Sequence, residues 1–316
     1  MSKRKKLIPV LSLSALLVTS ALSMSTHHYY NGLLPKEYFI SDAIFTDEET
    51  SNSYESSLNS TLVNSLFVPQ GLTFNEDFSF ISFYDYSSIN KSIIKVFTHD
   101  GRLVNTFTLP NRGHVGGISY DYNNNLLWVA STYGTVDAYR VNDVICNDKF
   151  IPYYSKLDLG KGLPNYTNPL NNSISYMTIY KDQLFVGNFQ LFQKGTVKRY
   201  KISIDSQQNV NLEFLGSFLV PDRVQGLTIY EKDDDTYLLL SRSFGNGVSS
   251  SLQIYKYFDY IKDYTNPLLV SKCFKFPSMM EQVETFDDKL YSLYEYESKI
   301  YGGSKEDEYV LRVSKI

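Results

Sequence analysis

The chain has 316 residues, 43% of them apolar and 15% aromatic, which is ample material for a large hydrophobic core. A formal charge of -4, with no Lys/Arg stripe, excludes the electrostatic footprint of a nucleic-acid binder. Tyrosine is the loudest bias, 27 copies against one tryptophan, and stacked sheets use such aromatics for packing before anything else.

From the N-terminus, Lys3, Arg4, Lys5 and Lys6 precede an apolar run from Leu7 to Leu22, with small Ala21 and Ser23 near its end. That order predicts a secretory signal peptide over 1–23, and therefore a secreted, extracellular or cell-surface protein. The run falls short of the roughly 20 residues of a spanning helix, so the mature form is expected to lack a transmembrane segment. An uncleaved anchor is the alternative. Residues 37–45 read as an isolated strand, and 46–64, dense in Ser, Asn, Thr and Glu, as a flexible linker.

Five times thereafter one short phrase returns: Gln70-Gly71-Leu72-Thr73, Gly116-Gly117-Ile118-Ser119, Ser175-Tyr176-Met177-Thr178, Gln225-Gly226-Leu227-Thr228 and a degenerate Glu281-Gln282-Val283-Glu284. Subtracting successive first positions (70, 116, 175, 225, 281) gives steps of 46, 59, 50 and 56 residues. A period near 50 built from short β-rich runs marks a β-propeller. Each phrase leads into two or three further apolar runs that alternate as half-buried strands do. Asp100-Gly101 and the stretch from Asp121 to Asn125 supply turn chemistry. The expected fold is all-β: a five-bladed propeller over 65–316, with blades starting near 70, 114, 174, 224 and 281. Its last blade, one strand short at Ile316, is expected to be closed by strand 37–45.

Cys146 and Cys273 fall in blades that are not neighbours in such a ring, so two free, buried thiols and no disulfide are expected. Ligand sites in propellers gather on the axis, where loops from every blade converge. The start of each inner strand offers Gln70, His114, Tyr176 beside Ser175, Gln225 with Arg223, and Glu281 with Glu284. A second ring at the ends of the second strands offers Asp85, Asn188, Arg242 and Glu295. His114, flanked by glycines, suits a general base, a metal ligand or a hydrogen-bonded structural role. Glu281 is its expected partner, as tautomer holder or as acid/base. Arg242 and Arg223 are expected to form salt links with Asp85 and Glu295. Tyr84, Tyr86, Tyr133, Tyr294 and Tyr296 are candidates to stack on a ligand at the mouth. No zinc spacing and no nucleophile elbow occur. No cofactor is expected; calcium on axial carbonyls with Glu281 and Asn188 is the one alternative, with no Asp-rich loop behind it.

The segments Val68-Pro69-Gln70-Gly71-Leu72, Gly113-His114-Val115-Gly116-Gly117, Ser175-Tyr176-Met177-Thr178, Val224-Gln225-Gly226-Leu227 and Leu293-Tyr294-Glu295 resemble a group of secreted bacterial β-propeller proteins, across all five repeats. More weakly, the phrases are similar to those of five-bladed glutaminyl cyclases (glutamine cyclotransferases), whose blades open with Q-G-L or E-G-L. That second likeness implies an axial carboxylate assisting cyclisation, a place Glu281 alone would take here.

Two functions follow as expectations. The first is a monomeric secreted propeller that binds a small polar ligand, glycan or peptide at its axial mouth. The second is a propeller enzyme, a cyclotransferase, lactonase or other hydrolase, using Glu281 and His114 as catalytic residues.

Overall fold

The computed structural model describes residues 66–147, 154–159, 174–245, 248–264, 269–295 and 311–315. All belong to the unit spanning Ser41–Ile316. The expected signal peptide, closing strand 37–45 and linker 46–64 lie outside the described residues.

The described chain is a succession of antiparallel sheets. The first runs β1 (Phe67–Phe74), β2 (Phe78–Asp85), β3 (Ile93–Thr98), β4 (Leu103–Thr108), each strand pairing with the next. The second is β5 (Ile118–Asp121), β6 (Leu126–Ala130), β7 (Thr135–Arg140), β8 (Ser155–Asp158). The third is β9 (Tyr176–Tyr180), β10 (Gln183–Gly187), β11 (Gly195–Ile204), β12 (Val210–Val220). The fourth is β13 (Val224–Lys232), β14 (Asp235–Arg242), β15 (Ser249–Lys256), β16 (Val270–Ser278). A further sheet has three described strands, β17 (Met280–Phe286), β18 (Lys289–Tyr294) and β19 (Leu311–Lys315). This is the meander-by-meander build of an all-β propeller with four complete blades.

The five phrases begin the innermost strands, and β1, β5, β9, β13 and β17 touch in that cyclic order, with β17 against β1. Each sheet-to-sheet seam has its own apolar cluster. Phe80, Ile94 and Phe107 meet Leu127 and Tyr139 between the first two sheets, while Leu72, Phe74 and Phe83 meet Tyr291, Leu293 and Leu311 between the last and the first. Tight hairpins link inner to second strands. Asp233-Asp234 and Asp287-Asp288 take positive φ at both positions, the geometry that matches the twist of a two-residue hairpin.

Two short helices, α1 (Val141–Cys146) and α2 (Tyr257–Lys262), connect third to fourth strands in the second and fourth sheets. Their six-residue length is too short for a helical period to show in the sequence. Cys146, at the end of α1, is exposed, a correction to the expectation of two buried thiols; Cys273 is buried, and both are free. Among the described residues no helix is long and apolar enough to cross a membrane.

The glycines of the phrases serve close approach between inner strands. A Cβ on Gly116 would stand 2.2 Å from the Ser175 carbonyl oxygen, a backbone atom that cannot step aside. Gly116→Ala is therefore expected to cost about 2 kcal/mol of unfolding free energy, read from urea denaturation.

Candidate functional site

Three of the inner strands are bulged at their starts. The pairing register of β1 with β2 jumps from Pro69 to Gly71, that of β13 with β14 from Val224 to Gly226, and that of β17 with β18 from Met280 to Val283. The residues skipped are Gln70, Gln225 and the pair Glu281-Gln282. A bulge removes a residue from the ladder and re-aims its side chain, which is how a strand otherwise committed to packing presents an amide or a carboxyl.

Those side chains meet across sheets. Gln225 Nε2 donates to Glu281 Oε1 at 3.2 Å, joining the fourth sheet to the last. Gln70 Nε2 donates to its neighbour Pro69 O at 2.9 Å and to Glu295 Oε1, joining the first sheet to the last. Glu295 follows β18 and is held there by its own N–H, which donates to Met279 O at 3.1 Å. The result is a row, amide–carboxyl–carboxyl–amide, drawn from three sheets. Gln70, Glu281 and Glu295 are buried, and Gln225 is half-buried.

Burial raises the Glu281 carboxyl well above the ordinary range, and the neighbouring Glu295 raises it further. Burial also raises Glu295, partly offset by the hydrogen bond from Gln70. Neither carboxyl has an ion-pair partner among the described residues. Two such groups side by side titrate as a unit, and ionising both is opposed by burial and by their mutual repulsion.

Farther along β17, Glu284 accepts from Thr228 Oγ1 at 2.6 Å and from Thr285 N at 2.9 Å. Burial, the larger effect, pushes this carboxyl up to about 7 against those two bonds. It stands where the other phrases carry Thr73, Ser119, Thr178 and Thr228. These hydroxyls stitch neighbouring inner strands: Tyr120 N donates to Thr73 Oγ1 at 3.1 Å, and Ile179 N to Ser119 Oγ at 2.9 Å. The signal for this ring was the Ser/Thr/Glu at one fixed place in every phrase.

Several expected site residues do other work. His114 makes no hydrogen bond with Glu281; its exposed ring stacks on Tyr84, centroids 4.1 Å apart and planes 25° apart. Partial burial against Tyr84 costs the imidazolium some hydration and holds it below the ordinary range. The hydrogen-bond partner of Glu281 is Gln225 instead, and the nearby charge that acts on it is Glu295. Tyr176 is fully buried between the third and fourth sheets with Phe185, Val224 and Leu227, so its ring faces core rather than mouth. Tyr294 is likewise core, while Tyr84 is half-buried and Tyr86 exposed. The Tyr133 side chain and Tyr296 lie outside the described residues.

Asp85 organises its own turn. Ser87 Oγ at 2.7 Å and Asn90 N at 2.6 Å donate to its carboxylate, and these bonds hold it below the usual range. Asn188 accepts from Thr196 N at 3.0 Å and bridges β10 to β11. The salt links expected of Arg242 and Arg223 with Asp85 and Glu295 are replaced by links to Asp222. Arg242 donates through Nε to Asp222 O at 2.8 Å and through Nη2 to Asp222 Oδ1, and Arg223 Nε lies 3.2 Å from Asp222 Oδ2. Asp222 sits in the turn between β12 and β13, directly before Arg223, and a buried carboxylate one residue from its cation pairs without needing any long-range closure. Among the described residues no three His, Cys, Asp or Glu side chains group as a metal centre.

No family model matches this chain, and no curated protein matches its sequence. Among solved structures it is similar to a chain of a nidogen/laminin complex, with 11% identity, 72% of this chain and 73% of that chain covered, and a TM-score of 0.41. It is similar to the WD40 β-propeller domain of Doa1, with 9% identity, 79% and 83% covered, and a TM-score of 0.40. It is also similar to U3-55K, with 9% identity, 78% and 80% covered, and a TM-score of 0.43.

Proposed function

We propose that this chain is an exported, monomeric five-bladed propeller, its last blade completed by strand 37–45, that binds a small polar ligand, glycan or peptide at the axial mouth. The observation that carries the reading is the row Gln225–Glu281–Glu295–Gln70, where three sheets turn polar side chains inward through bulged strands. A propeller that needed only packing would not bury two carboxyls whose donors, among the described residues, are neutral amides. The contact of β17 with β1 supports a closed ring, and the basic and apolar order of residues 3–22 supports export.

The test is a titration of the full chain with a panel of mono- and oligosaccharides and short peptides, followed by the side-chain amide resonances of Gln70 and Gln225. A binder is expected to shift both, and Gln225→Ala to weaken it about tenfold with little change in melting temperature. Binding that maps to the outer strands, or that Gln225→Ala leaves intact, sinks the reading.

The carboxyl pair also favours a second reading, a propeller enzyme of the cyclotransferase or hydrolase class. A protonated carboxyl beside an ionised one can donate and accept in one reaction. In that case Glu281 works with Glu295, and His114 stands at the mouth.

A further inference from the structure

Arg199 is a half-buried cation with no carboxylate paired to it. It lies in β11 opposite Phe185, and directly opposed residues share a face, so its side chain is on the side of the third sheet that packs against the fourth. Among the described residues no Asp or Glu forms an ion pair with it, and its Nε is buried without a hydrogen-bond partner. Arg242, also half-buried, makes the contrast: its Nε donates to the Asp222 carbonyl and its Nη2 to the Asp222 carboxylate. A guanidinium taken partly out of water with an N–H unused is costly, and an acceptor from outside the chain would relieve it.

The ground around Arg199 is open and polar. Across the ladder stands Gly216, at a bulge with a φ of 129°, and a Cβ there would meet only Arg199 Nη2 within 4 Å, at 3.7 Å. Gln183, two residues from Phe185 on the same face, buries an Oε1 that also has no hydrogen-bond partner. Tyr257 of α2 closes the side toward the fourth sheet. Its ring stands edge-on to Phe185 with centroids 6.1 Å apart, and its hydroxyl is within hydrogen-bonding reach of Arg199. Lys201, opposite Gln183, is exposed on the same face. Glu213 faces Lys201 across the next ladder but, among the described residues, pairs with neither cation.

The unused groups narrow the class of ligand. A guanidinium edge takes two oxygens of one oxyanion, and a second cation on the same face adds to the attraction. The idle Oε1 of Gln183 asks for a donor, which a carboxylate or sulfate lacks and a phosphate carrying its last proton supplies. We propose that Arg199, Lys201, Tyr257 and Gln183 form a binding site for a phosphate group in the seam between the third and fourth sheets, with phosphate oxygens on the Arg199 Nε edge and the phosphate hydroxyl on Gln183 Oε1. The site is built on second and third strands, outward of the inner strands that begin with the axial row. It therefore stands or falls apart from the axial-ligand reading.

The test titrates the full chain with inorganic phosphate, methyl phosphate, sulfate and acetate at about pH 6, where a phosphate monoester holds its last proton about half the time. Binding is read by calorimetry and by the Arg199 Nε–H resonance. Inorganic phosphate is expected to shift that resonance with a Kd of about 1 mM or tighter, and sulfate and acetate to bind about tenfold more weakly. Methyl phosphate separates the sources: binding as tight as the free ion assigns the site to phosphate esters, and weaker binding assigns it to the free ion. Arg199→Gln, checked for folding by circular dichroism, is expected to abolish the heat of binding, and Lys201→Gln, at an exposed position, to weaken it severalfold. Phosphate binding that survives Arg199→Gln, sulfate or acetate binding as tight as phosphate, or no shift with inorganic phosphate overturns the proposal. So does a shift of the Arg199 Nε–H resonance on Glu213→Gln without any added anion, because the guanidinium would then already be paired in solution.

Discussion

Raising the pH from about 4.5 to about 8 should lower the stability of this protein by several kcal/mol. Glu284 supplies the clearest share, because its carboxyl rises from 4.5 to about 7 on folding. At about 1.4 kcal/mol per pH unit, that shift is worth about 3 kcal/mol. The folded chain binds this proton more tightly than the unfolded one, so the contribution is complete below about 4.5 and is lost as pH climbs through about 7. Glu281 and Glu295 are displaced in the same direction and add to the loss. The lowered carboxylates Asp85 and Asp205 do not offset it, since their contribution is already complete above their ordinary value of 3.8. His114, held at about 4 against an ordinary 6.5, works the other way and returns part of the loss as pH rises to about 6.5. Urea denaturation at both pH values measures the effect. Glu284→Gln keeps an Oε1 to accept from Thr228 and Thr285 but cannot ionise. It should match the parent in acid and exceed it by about 3 kcal/mol at about pH 8. A Glu284→Gln variant no more stable than the parent at about pH 8 would show that the inner strands admit enough water to hydrate this group.

Asp222→Ala should be the most damaging single substitution at the mouth, costing about 3–5 kcal/mol. Asp222 is buried and Arg242 is 15% exposed at its side chain, so removing the carboxylate strands the Arg242 charge with little solvent to receive it. The loss would fall on the path from β12 into β13, because Arg242 also donates to the Asp222 carbonyl and Arg223 N donates to Gln190 O at 2.7 Å. Arg223 further holds a positive φ of 61° that its partners must sustain. Adding Arg242→Met to Asp222→Ala should recover part of the stability, since one stranded charge goes with it. A loss below about 1 kcal/mol in Asp222→Ala would mean that the cluster is solvated, as a surface pair is.

Much of the fold was legible in the residues because propellers repeat a local unit. Each phrase does begin an inner strand, and the runs that follow it from Phe78, Leu126, Leu184, Tyr237 and Leu290 lie in second strands. Strand lengths vary around the repeat: β11 runs ten residues, Gly195–Ile204, where β7 has six. The candidate site was less legible. Gln70, Gln225, Glu281 and Glu295 were all singled out, but His114 was paired with Glu281 because a lone histidine stands out by type. Nothing local marks Glu295 as the true neighbour. Its closeness to Glu281 comes from β17 and β18 lying side by side, and its bond to Gln70 spans 225 positions of chain.

What the amino-acid order determined alone was periodic: strand, turn, strand, with a glycine or hydroxyl at a constant place in each repeat, because backbone propensity and side-chain alternation act over a few residues. Which carboxyl meets which amide, which tyrosine is core and which arginine claims Asp222 were decided only when sheets packed against one another. Those outcomes depend on burial and on distances between residues far apart in the chain. A bulge of one residue, set by the fit of one inner strand on its neighbour, is enough to turn a glutamine from the ladder into the site.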